Sequence, residues 1–219
     1  MRAATAAVGT VPARAPRNAE SEGRVTVVDG SVQPRRVGRL TLMSTLAIGL
    51  LGAALYAFAN WTTISIAIPG TDDVSLRPQF ALVVFIGFAF GPMAGFVSGF
   101  VGNVVGDALT EFGAFAAWPW SLANGMVGLL SGLFGIWIVG RPAGGASRAV
   151  MAGVAGVVAT LLGFLVIWVE LWTQPELGAE HILIREYLPT VLVNSIVAAI
   201  ITPLVVRFWA PLHAFFGQP

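Results

Sequence analysis

The chain contains no cysteine and no lysine among its 219 residues, and charged residues make up only 11% of it. Without cysteine it has no disulfides, no thiolate nucleophiles and no cysteine-bound metals. The two histidines, His181 and His213, are too far apart in the sequence to suggest a ligand pair, so we expect neither a metal nor a cofactor. A soluble domain carries about 25% charged residues. The shortage of charge, together with 56% hydrophobic residues, predicts an integral membrane protein.

Glycine, by contrast, is abundant within the apolar runs. Residues 85–107 read FIGFAFGPMAGFVSGFVGNVVGD, with glycine at positions 91, 95, 99, 102 and 106. On a helix this spacing places the glycines along one side. In water each would weaken the helix by about 0.5–1 kcal/mol relative to alanine, but in lipid small residues let helices pack closely. The stretch therefore predicts a helix surrounded by other helices, with Asn103 and Asp107 inside the bundle near one membrane face.

Apolar runs separated by polar connectors predict six transmembrane helices. They cover residues 40–60, 79–90, 93–109, 120–139, 149–172 and 187–208. A crossing of the hydrocarbon layer takes about 20 residues, so the second segment is short and is expected to tilt, to begin earlier or to stop partway. Gly91 and Pro92 predict a sharp turn between the second and third segments. The connector at 61–78 is long enough to form a lid.

The segments outside the spans predict the orientation of the chain. Residues 1–38 have no apolar run, which predicts a disordered cytoplasmic tail; an organellar transit peptide stays open, but no signal-peptide core precedes Arg39. With the N-terminus inside, the outer segments hold only two arginines, Arg77 and Arg185, and the inner segments hold the others. This positive-inside pattern predicts a multi-pass plasma-membrane protein with both termini in the cytoplasm, including a short tail at 211–219.

No catalytic or nucleotide-binding pattern stands out from the sequence. None of the glycine-rich runs ends in the Lys-Ser/Thr pair of a phosphate-binding loop, and no His-Glu pairing is typical of a zinc enzyme. No serine lies within reach of a plausible base. We therefore expect a protein that is not an enzyme and does not bind nucleic acid.

Polar and aromatic residues gather at the predicted outer ends of the spans. Aromatic rings beside a few hydrogen-bonding groups are typical of a site for a small, partly flat molecule. The inner halves carry almost no ionisable residue, whereas a proton-coupled carrier usually keeps such groups near the midplane. The pattern predicts capture from outside rather than a through-pore. The candidate binding residues are Trp61, Arg77, Asn103, Asp107, Trp120, Asn124, Glu170 and Asn194.

These residue types also have explanations that need no ligand. Tryptophans at span ends commonly form interfacial belts, and asparagines link membrane helices at about 0.6 kcal/mol each. Asp107 could cap a following turn, and Arg77 could pair with an outer acid. Glu170 is harder to explain in this way, because a carboxylate inside the end of a span needs a cation or a donor.

Two stretches of the chain resemble a known family. Residues 76–109 read LRPQFALVVFIGFAFGPMAGFVSGFVGNVVGDAL, and residues 118–135 read WPWSLANGMVGLLSGLFG. Both are similar to the S components of energy-coupling factor (ECF) vitamin transporters, especially the group named for riboflavin uptake. The likeness extends over about residues 40–209 and leaves out the tail.

The resemblance implies a binding subunit with no ATPase activity of its own. In that family the S component binds its substrate at the outer side, beneath a loop between the first two spans. It topples in the membrane when it is docked to a T component with two cytoplasmic ATPases. The resemblance therefore implies that residues 61–78 form the gate, and that Trp120, Asn124, Glu170 and Asn194 belong to the binding site.

The family's docking motif consists of small residues four apart in the first span. It matches Ala53 and Ala57, and Gly49 continues the same spacing. Two small residues one turn apart let a partner helix approach closely. The resemblance thus implies that these three residues dock the T component.

Taken together, these patterns predict an all-α, six-helix membrane bundle over residues 39–210 that binds a water-soluble vitamin or precursor. Riboflavin is the leading substrate by resemblance, while thiamine and hydroxymethylpyrimidine stay open because an acidic outer face suits a cation. Two other classes remain as alternatives, a ligand-free six-span scaffold of the cell envelope and a secondary carrier. A scaffold would not need polar groups that converge in the outer halves of spans four to six.

Overall fold

The computed structural model describes residues 42–62, 66–71, 74–110, 113–139 and 145–216, with side chains up to residue 209. The predicted tail at 1–38 and the outer acids Asp72, Asp73 and Glu111 lie outside the described residues.

The first part of the described chain consists of four helices and one small β-hairpin. The helices are α1 (Leu42–Thr62), α2 (Phe80–Phe90), α3 (Pro92–Ala108) and α4 (Trp118–Val139). Between α1 and α2, strand β1 (Ile66–Ala67) pairs antiparallel with β2 (Ser75–Leu76). The predicted lid connector therefore contains a hairpin.

The second part forms two long helical runs, each interrupted by a stretch of different winding. Helix α5 (Gly145–Gly163) continues through a 3₁₀ segment (Phe164–Val169) into α6 (Glu170–Thr173). Helix α7 (Gly178–His181) continues through a π-helical segment (Ile182–Tyr187) into α8 (Leu188–Phe216). Since α8 ends at Phe216, residues 211–216 of the predicted C-terminal tail are helical.

Four helical runs among the described residues are long and apolar enough to cross a bilayer. They are Leu42–Thr62, Trp118–Ile138, Gly145–Thr173 and Gly178–Trp209. Helices α2, with 11 residues, and α3, with 17, are shorter, and at 1.5 Å per residue α2 is only about 17 Å long. The predicted all-helical membrane bundle is confirmed, whereas six complete crossings and the side of each terminus stay predictions.

A single residue, Gly91, connects α2 to α3. It has φ +103°, a conformation that residues with a side chain rarely adopt. Its amide donates to the Gly87 carbonyl at 2.8 Å, which closes α2, and Pro92 occupies the first turn of α3. The predicted turn at Gly91 and Pro92 is confirmed, and it folds α3 back along α2.

Helices α2, α3 and α4 touch through their backbones. A Cβ added at Gly95 would overlap the Gly128 carbonyl oxygen, and a Cβ at Gly128 would overlap that of Gly95. Gly87 of α2 faces the same Gly128 carbonyl. The hydroxyl of Ser131 donates to the Val84 carbonyl at 3.1 Å, which also links α4 to α2. These three helices therefore form a junction of close backbone contacts, which the small Ser131 side chain also enters.

The glycines along one side of α3 pack against two other helices, α4 and α1. Gly95 and Gly99 face α4, whereas Gly102 and Gly106 face α1. A Cβ at Gly102 would lie 3.1 Å from the Ala53 carbonyl oxygen, and one at Gly106 would lie 2.6 Å from the Asn60 amide nitrogen. The prediction that this helix is surrounded by others is confirmed.

The three small residues of α1 that are predicted to dock the T component pack against α3 within the chain, and their docking role stays a prediction. Gly49, Ala53 and Ala57 are buried within the chain, and a Cβ at Gly49 would lie 2.9 Å from the Val97 Cβ of α3. The close-packing face of α1 is thus filled by α3. It is not exposed to an external helix, because the chain itself supplies the helix that fits the small residues.

The apolar core lies where α2, the 3₁₀ segment and the π-helical segment meet. Phe80, Phe164, Ile167 and Ile182 are almost completely buried there. The rings of Phe80 and Phe164 are 6.1 Å apart. This cluster forms the floor beneath the polar residues described next.

Candidate functional site

A cavity of about 270 Å³ opens at the C-terminal end of α3. Its walls come from the ends of α1 and α3, the start of α4, the 3₁₀ segment with α6, and the start of α8. Residues of the hairpin and of the α3–α4 connector, such as Ser75 and Ala117, also line it. The size lies near the lower end of the range of about 300–1,000 Å³ for small-molecule pockets.

Seven of the eight predicted binding residues line this one cavity. They are Arg77, Asn103, Asp107, Trp120, Asn124, Glu170 and Asn194. The eighth, Trp61, does not line it; its side chain is 60% exposed and packs edge-on against Phe58 at 6.3 Å. Trp61 is on the exposed face of the last turn of α1, outside this cavity, and its role in binding stays a prediction.

The asparagines form a buried hydrogen-bond network between α3 and α4. The Asn103 amide donates to Asp107 Oδ2 at 2.8 Å and to Ser121 Oγ at 3.0 Å. The Asn124 amide donates to Asn103 Oδ1 at 3.3 Å and to the Trp120 carbonyl at 2.9 Å. These asparagines do link the helices, and they also line the cavity.

Among the described residues, the Asp107 side chain makes no capping hydrogen bond to the following turn, of which residues 111 and 112 lie outside the described chain. Its backbone carbonyl accepts from the Thr110 hydroxyl and from the Gly113 amide, both at 3.0 Å. Its carboxylate instead accepts from Asn103 and interacts with the nearby Arg77 guanidinium. Arg77 also lies close to the buried Tyr56 hydroxyl. One end of the cavity therefore holds a carboxylate whose charge is offset by an arginine.

Glu170 is held at the other end by Trp120. The indole Nε1 of Trp120 donates to Glu170 Oε1 at 3.0 Å, and the Trp120 ring meets that of Phe164 edge-on at 6.2 Å. The Glu170 side chain is only 2% exposed, and its Oε2 has no hydrogen-bond partner among the described residues. The predicted need of this carboxylate for a donor is therefore half met within the chain.

Several lining residues did not emerge from the sequence. They include Tyr56, Phe80, Phe164, Gln174, Glu186 and Thr190. Glu186 was assigned to a connector because the last span was expected to begin at Tyr187, whereas the helix begins earlier through its π-helical segment. Extending the helical period backward would have placed Glu186, Thr190 and Asn194 on one face, four residues apart.

The hairpin is fastened across the mouth of the cavity. The Arg185 guanidinium donates to the Gly70 carbonyl at 2.7 Å, which joins the π-helical segment to the hairpin turn. At the base of the hairpin, Arg77 Nε donates to Ser75 Oγ at 3.1 Å. The connector between α1 and α2 thus contributes to the cavity wall through Ser75 and is joined to the π-helical segment by Arg185.

Within the described residues, no group of three or more His, Asp or Glu side chains is placed to hold a metal ion. The cavity offers carboxylates, amides, one guanidinium and aromatic rings. Such groups bind and orient an organic molecule by hydrogen bonds and ring contacts.

The UPF0397 proteins of Streptococcus pneumoniae strain CGSP14 and of serotype 19F strain G54 are each 32% identical to this chain over 96 residues. The aligned part is 44% of this chain and 50% of each relative, so the chain spans about half the length of the curated relatives it matches. No solved structure matches the chain.

The broadest match covers the whole predicted membrane region. Residues 40–210 match the family described as the ECF-type riboflavin transporter, S component. The chain therefore belongs to the family of ECF-type riboflavin transporter S components, which are membrane subunits of transporters and not enzymes.

Proposed function

We propose that the chain is the substrate-binding subunit of an ECF importer and that it captures a water-soluble vitamin or vitamin precursor in the cavity. The observation that carries this proposal is the convergence of Asn103, Asp107, Trp120, Asn124 and Glu170 on one buried space. A scaffold without a ligand has no use for buried polar atoms that lack partners, since each costs about 1–3 kcal/mol.

The charge distribution supports an outward-facing cavity. The connectors between spans alternate between the two membrane faces. On the face of the cavity they carry two arginines, Arg77 and Arg185, and the arginines outside the spans are concentrated on the opposite face. We therefore propose six crossings, with α2 and α3 as short ones, both termini in the cytoplasm, and the site open to the exterior of the plasma membrane. The hairpin acts as the gate, with Arg185 as its fastening.

Delivery of the cargo requires partners, because nothing in the sequence suggests an ATPase. In line with the family, we propose a T component and two cytoplasmic ATPases that make the loaded subunit topple in the bilayer. The small residues Gly49, Ala53 and Ala57 are buried against α3, so docking involves another surface. The exposed apolar face of α1, which includes Leu51 and Phe58, is available to lipid or to a partner.

The family description, taken without the chemistry of the cavity, favours riboflavin as the cargo. Four aromatic side chains line the cavity and suit a flat ring: Tyr56, Phe80, Trp120 and Phe164. Thiamine and hydroxymethylpyrimidine are the other candidates, since the lining includes several carboxylates.

The fluorescence of Trp120 provides the test. The purified full chain, reconstituted in lipid nanodiscs, is titrated separately with riboflavin, thiamine and hydroxymethylpyrimidine. We expect saturable quenching by one of them, and its loss in Trp120→Phe. Trp172→Phe is the matched control, because Trp172 is 80% exposed and does not line the cavity. The proposal is overturned if none of the three quenches and mass spectrometry finds no small molecule released from the denatured protein.

A further inference from the structure

The acidic end of the cavity contains two buried carboxylates that lack a full set of partners. Glu170 is 2% exposed and Glu186 is 7% exposed. Both line the cavity, and their side chains are close enough to each other to form a hydrogen bond. Two carboxylates at that range repel each other unless a cation or a proton lies between them.

In each carboxyl group, one oxygen lies near a donor side chain and the other has no hydrogen-bond donor among the described residues. Oε1 of Glu170 accepts from Trp120, and Oε1 of Glu186 lies 3.8 Å from His181 Nε2. Oε2 of Glu170 and Oε2 of Glu186 are buried and have no hydrogen-bond partner among the described residues. The Thr190 hydroxyl, four residues after Glu186, is also buried, lines the cavity and lacks a partner.

Among the described residues, positively charged side chains do not balance the carboxylates at this end of the cavity. Of the described residues, three with carboxyl side chains line the cavity, Asp107, Glu170 and Glu186, against one with a guanidinium, Arg77. Arg77 interacts with Asp107 and Tyr56 at the opposite end. Within the described part of the chain, the one ion pair that reaches either glutamate is the contact of Glu186 with His181, whose side chain is partly exposed.

We infer that the cargo is a small organic cation whose N–H groups bind between Glu170 and Glu186, and not a neutral flavin. This inference rests on the proposed receptor function and specifies its substrate class. Glu170, Glu186 and Thr190 line the cavity, and when their side chains turn toward it, two carboxylate oxygens and a hydroxyl accept several N–H donors at once, as an ammonium or amidine-type nitrogen provides. The Trp120 and Phe164 rings beside Glu170 would contact a flat ring attached to that nitrogen.

The local winding of the chain brings the two carboxylates together. Glu186 lies in the π-helical segment, a form of winding that is rare and frequent at functional sites. Glu170 lies at the step from the 3₁₀ segment into α6. Both irregular segments thus end at the same corner of the cavity.

The test compares Glu170→Gln and Glu186→Gln with the wild-type chain. Glutamine keeps the shape of the side chain and removes the charge. Glu176→Gln is the matched control, because Glu176 is an exposed glutamate between α6 and α7 and does not line the cavity. Each protein is titrated in nanodiscs with thiamine, a permanent cation, and with riboflavin, which is neutral. Native mass spectrometry of the mildly purified chain identifies any retained molecule.

We expect thiamine, or a retained cation, to bind to the wild type and to Glu176→Gln with equal affinity. Affinity should fall about tenfold to a hundredfold in each of the other two variants, since a hydrogen bond to a charged group is lost. A second readout separates binding from folding. Without ligand, at an alkaline pH where both carboxyl groups are ionised, Glu186→Gln should unfold at a higher temperature than the wild type because it removes the repulsion between them, and the cation should stabilise this variant less than the wild type.

Three results would overturn the inference. If riboflavin binds equally well to the wild type and to both variants, or if the retained molecule is neutral or anionic, the cation is wrong but the receptor function stands. If a cation binds and Glu170→Gln and Glu186→Gln leave its affinity unchanged, the site is elsewhere. If neither probe binds and no molecule is retained, the inference and the proposed receptor function fail together.

Discussion

Helices α3 and α4 make two opposite kinds of contact along one interface. Near the Gly91 turn, Gly95 and Gly128 bring the two backbones into direct contact. About two turns from Gly95 along α3 and one turn from Gly128 along α4, the side chains of Asn103 and Asn124 form a buried hydrogen bond at the edge of the cavity. One interface is thus closed by backbone contact at one end and carries side-chain amides of the cavity wall at the other.

This difference shows how one helix pair can both seal and bind. The glycine end leaves no space for water or solute, since the atoms in contact belong to the backbone. The asparagine end contains polar groups that have no place in a membrane interior unless they are hydrogen-bonded. The α3–α4 pair is therefore closed by backbone contact at one end, and at the other end it carries polar side chains of the cavity wall.

The largest expected effect comes from adding a methyl group to the closed end. Gly128→Ala places a Cβ against the Gly95 carbonyl, where there is no room for it. Overpacking of this kind typically costs about 1–3 kcal/mol, occasionally more, so we expect a clear fall in the thermal unfolding midpoint and in the yield of monodisperse protein. In the control Gly145→Ala, a Cβ at Gly145 meets nothing within 4 Å. Equal unfolding midpoints and equal yields of the two variants would show that the α3 and α4 backbones do not touch at Gly128.

An intermediate effect is expected at the open end. Asn103→Ala leaves Asp107 and Ser121 without their donor, and each buried group without a partner costs about 1–3 kcal/mol. Chemical denaturation should show a loss in this range, together with weaker ligand binding. The control Thr62→Ala removes an exposed hydrogen bond to Phe58 and should change stability by about 0.5 kcal/mol at most. Full stability of Asn103→Ala would count against a network that supports the cavity.

The smallest effect is expected at the lid. Arg185→Gln removes the guanidinium that holds the Gly70 carbonyl, so the hairpin should open more often. The dissociation rate of the bound ligand, followed by stopped-flow fluorescence, should rise about threefold to tenfold, with little change in stability. The exposed Arg148 provides the control, and Arg148→Gln should leave this rate unchanged. Identical rates in the two variants would mean that the hairpin does not gate the site.

The sequence was sufficient for the helices and for most of the cavity. Spacing of small residues and apolar length predicted the bundle and the Gly91 turn, and seven of the eight polar candidates converge on one space. The common signal was polarity at the ends of otherwise apolar helices, where burial without partners is costly.

Spacing alone could not assign partners or irregular winding. A stripe such as Gly49, Ala53 and Ala57 predicts close packing but not the identity of the neighbour, which is α3. Glu186 was missed because the last span was expected to begin at Tyr187, whereas its helical run begins earlier, through the π-helical segment. The exposed position of Trp61 could not be predicted either, because the direction of a side chain at a helix end depends on where the helix stops, and α1 continues to Thr62.

The central claim is that the polar cavity opens to the exterior of the cell while the glycine end of the α3–α4 pair is closed. Because the chain has no cysteine, a single introduced thiol can test this claim directly. Thr190→Cys places a single thiol on the cavity wall, and Thr202→Cys places one on the same helix at a buried position that does not line the cavity. Intact cells are treated with a membrane-impermeant maleimide. We predict that Thr190→Cys is labelled and is protected by the bound ligand, and that Thr202→Cys is not labelled. Labelling of Thr190→Cys only in inside-out vesicles, or equal labelling of both variants, would contradict this account.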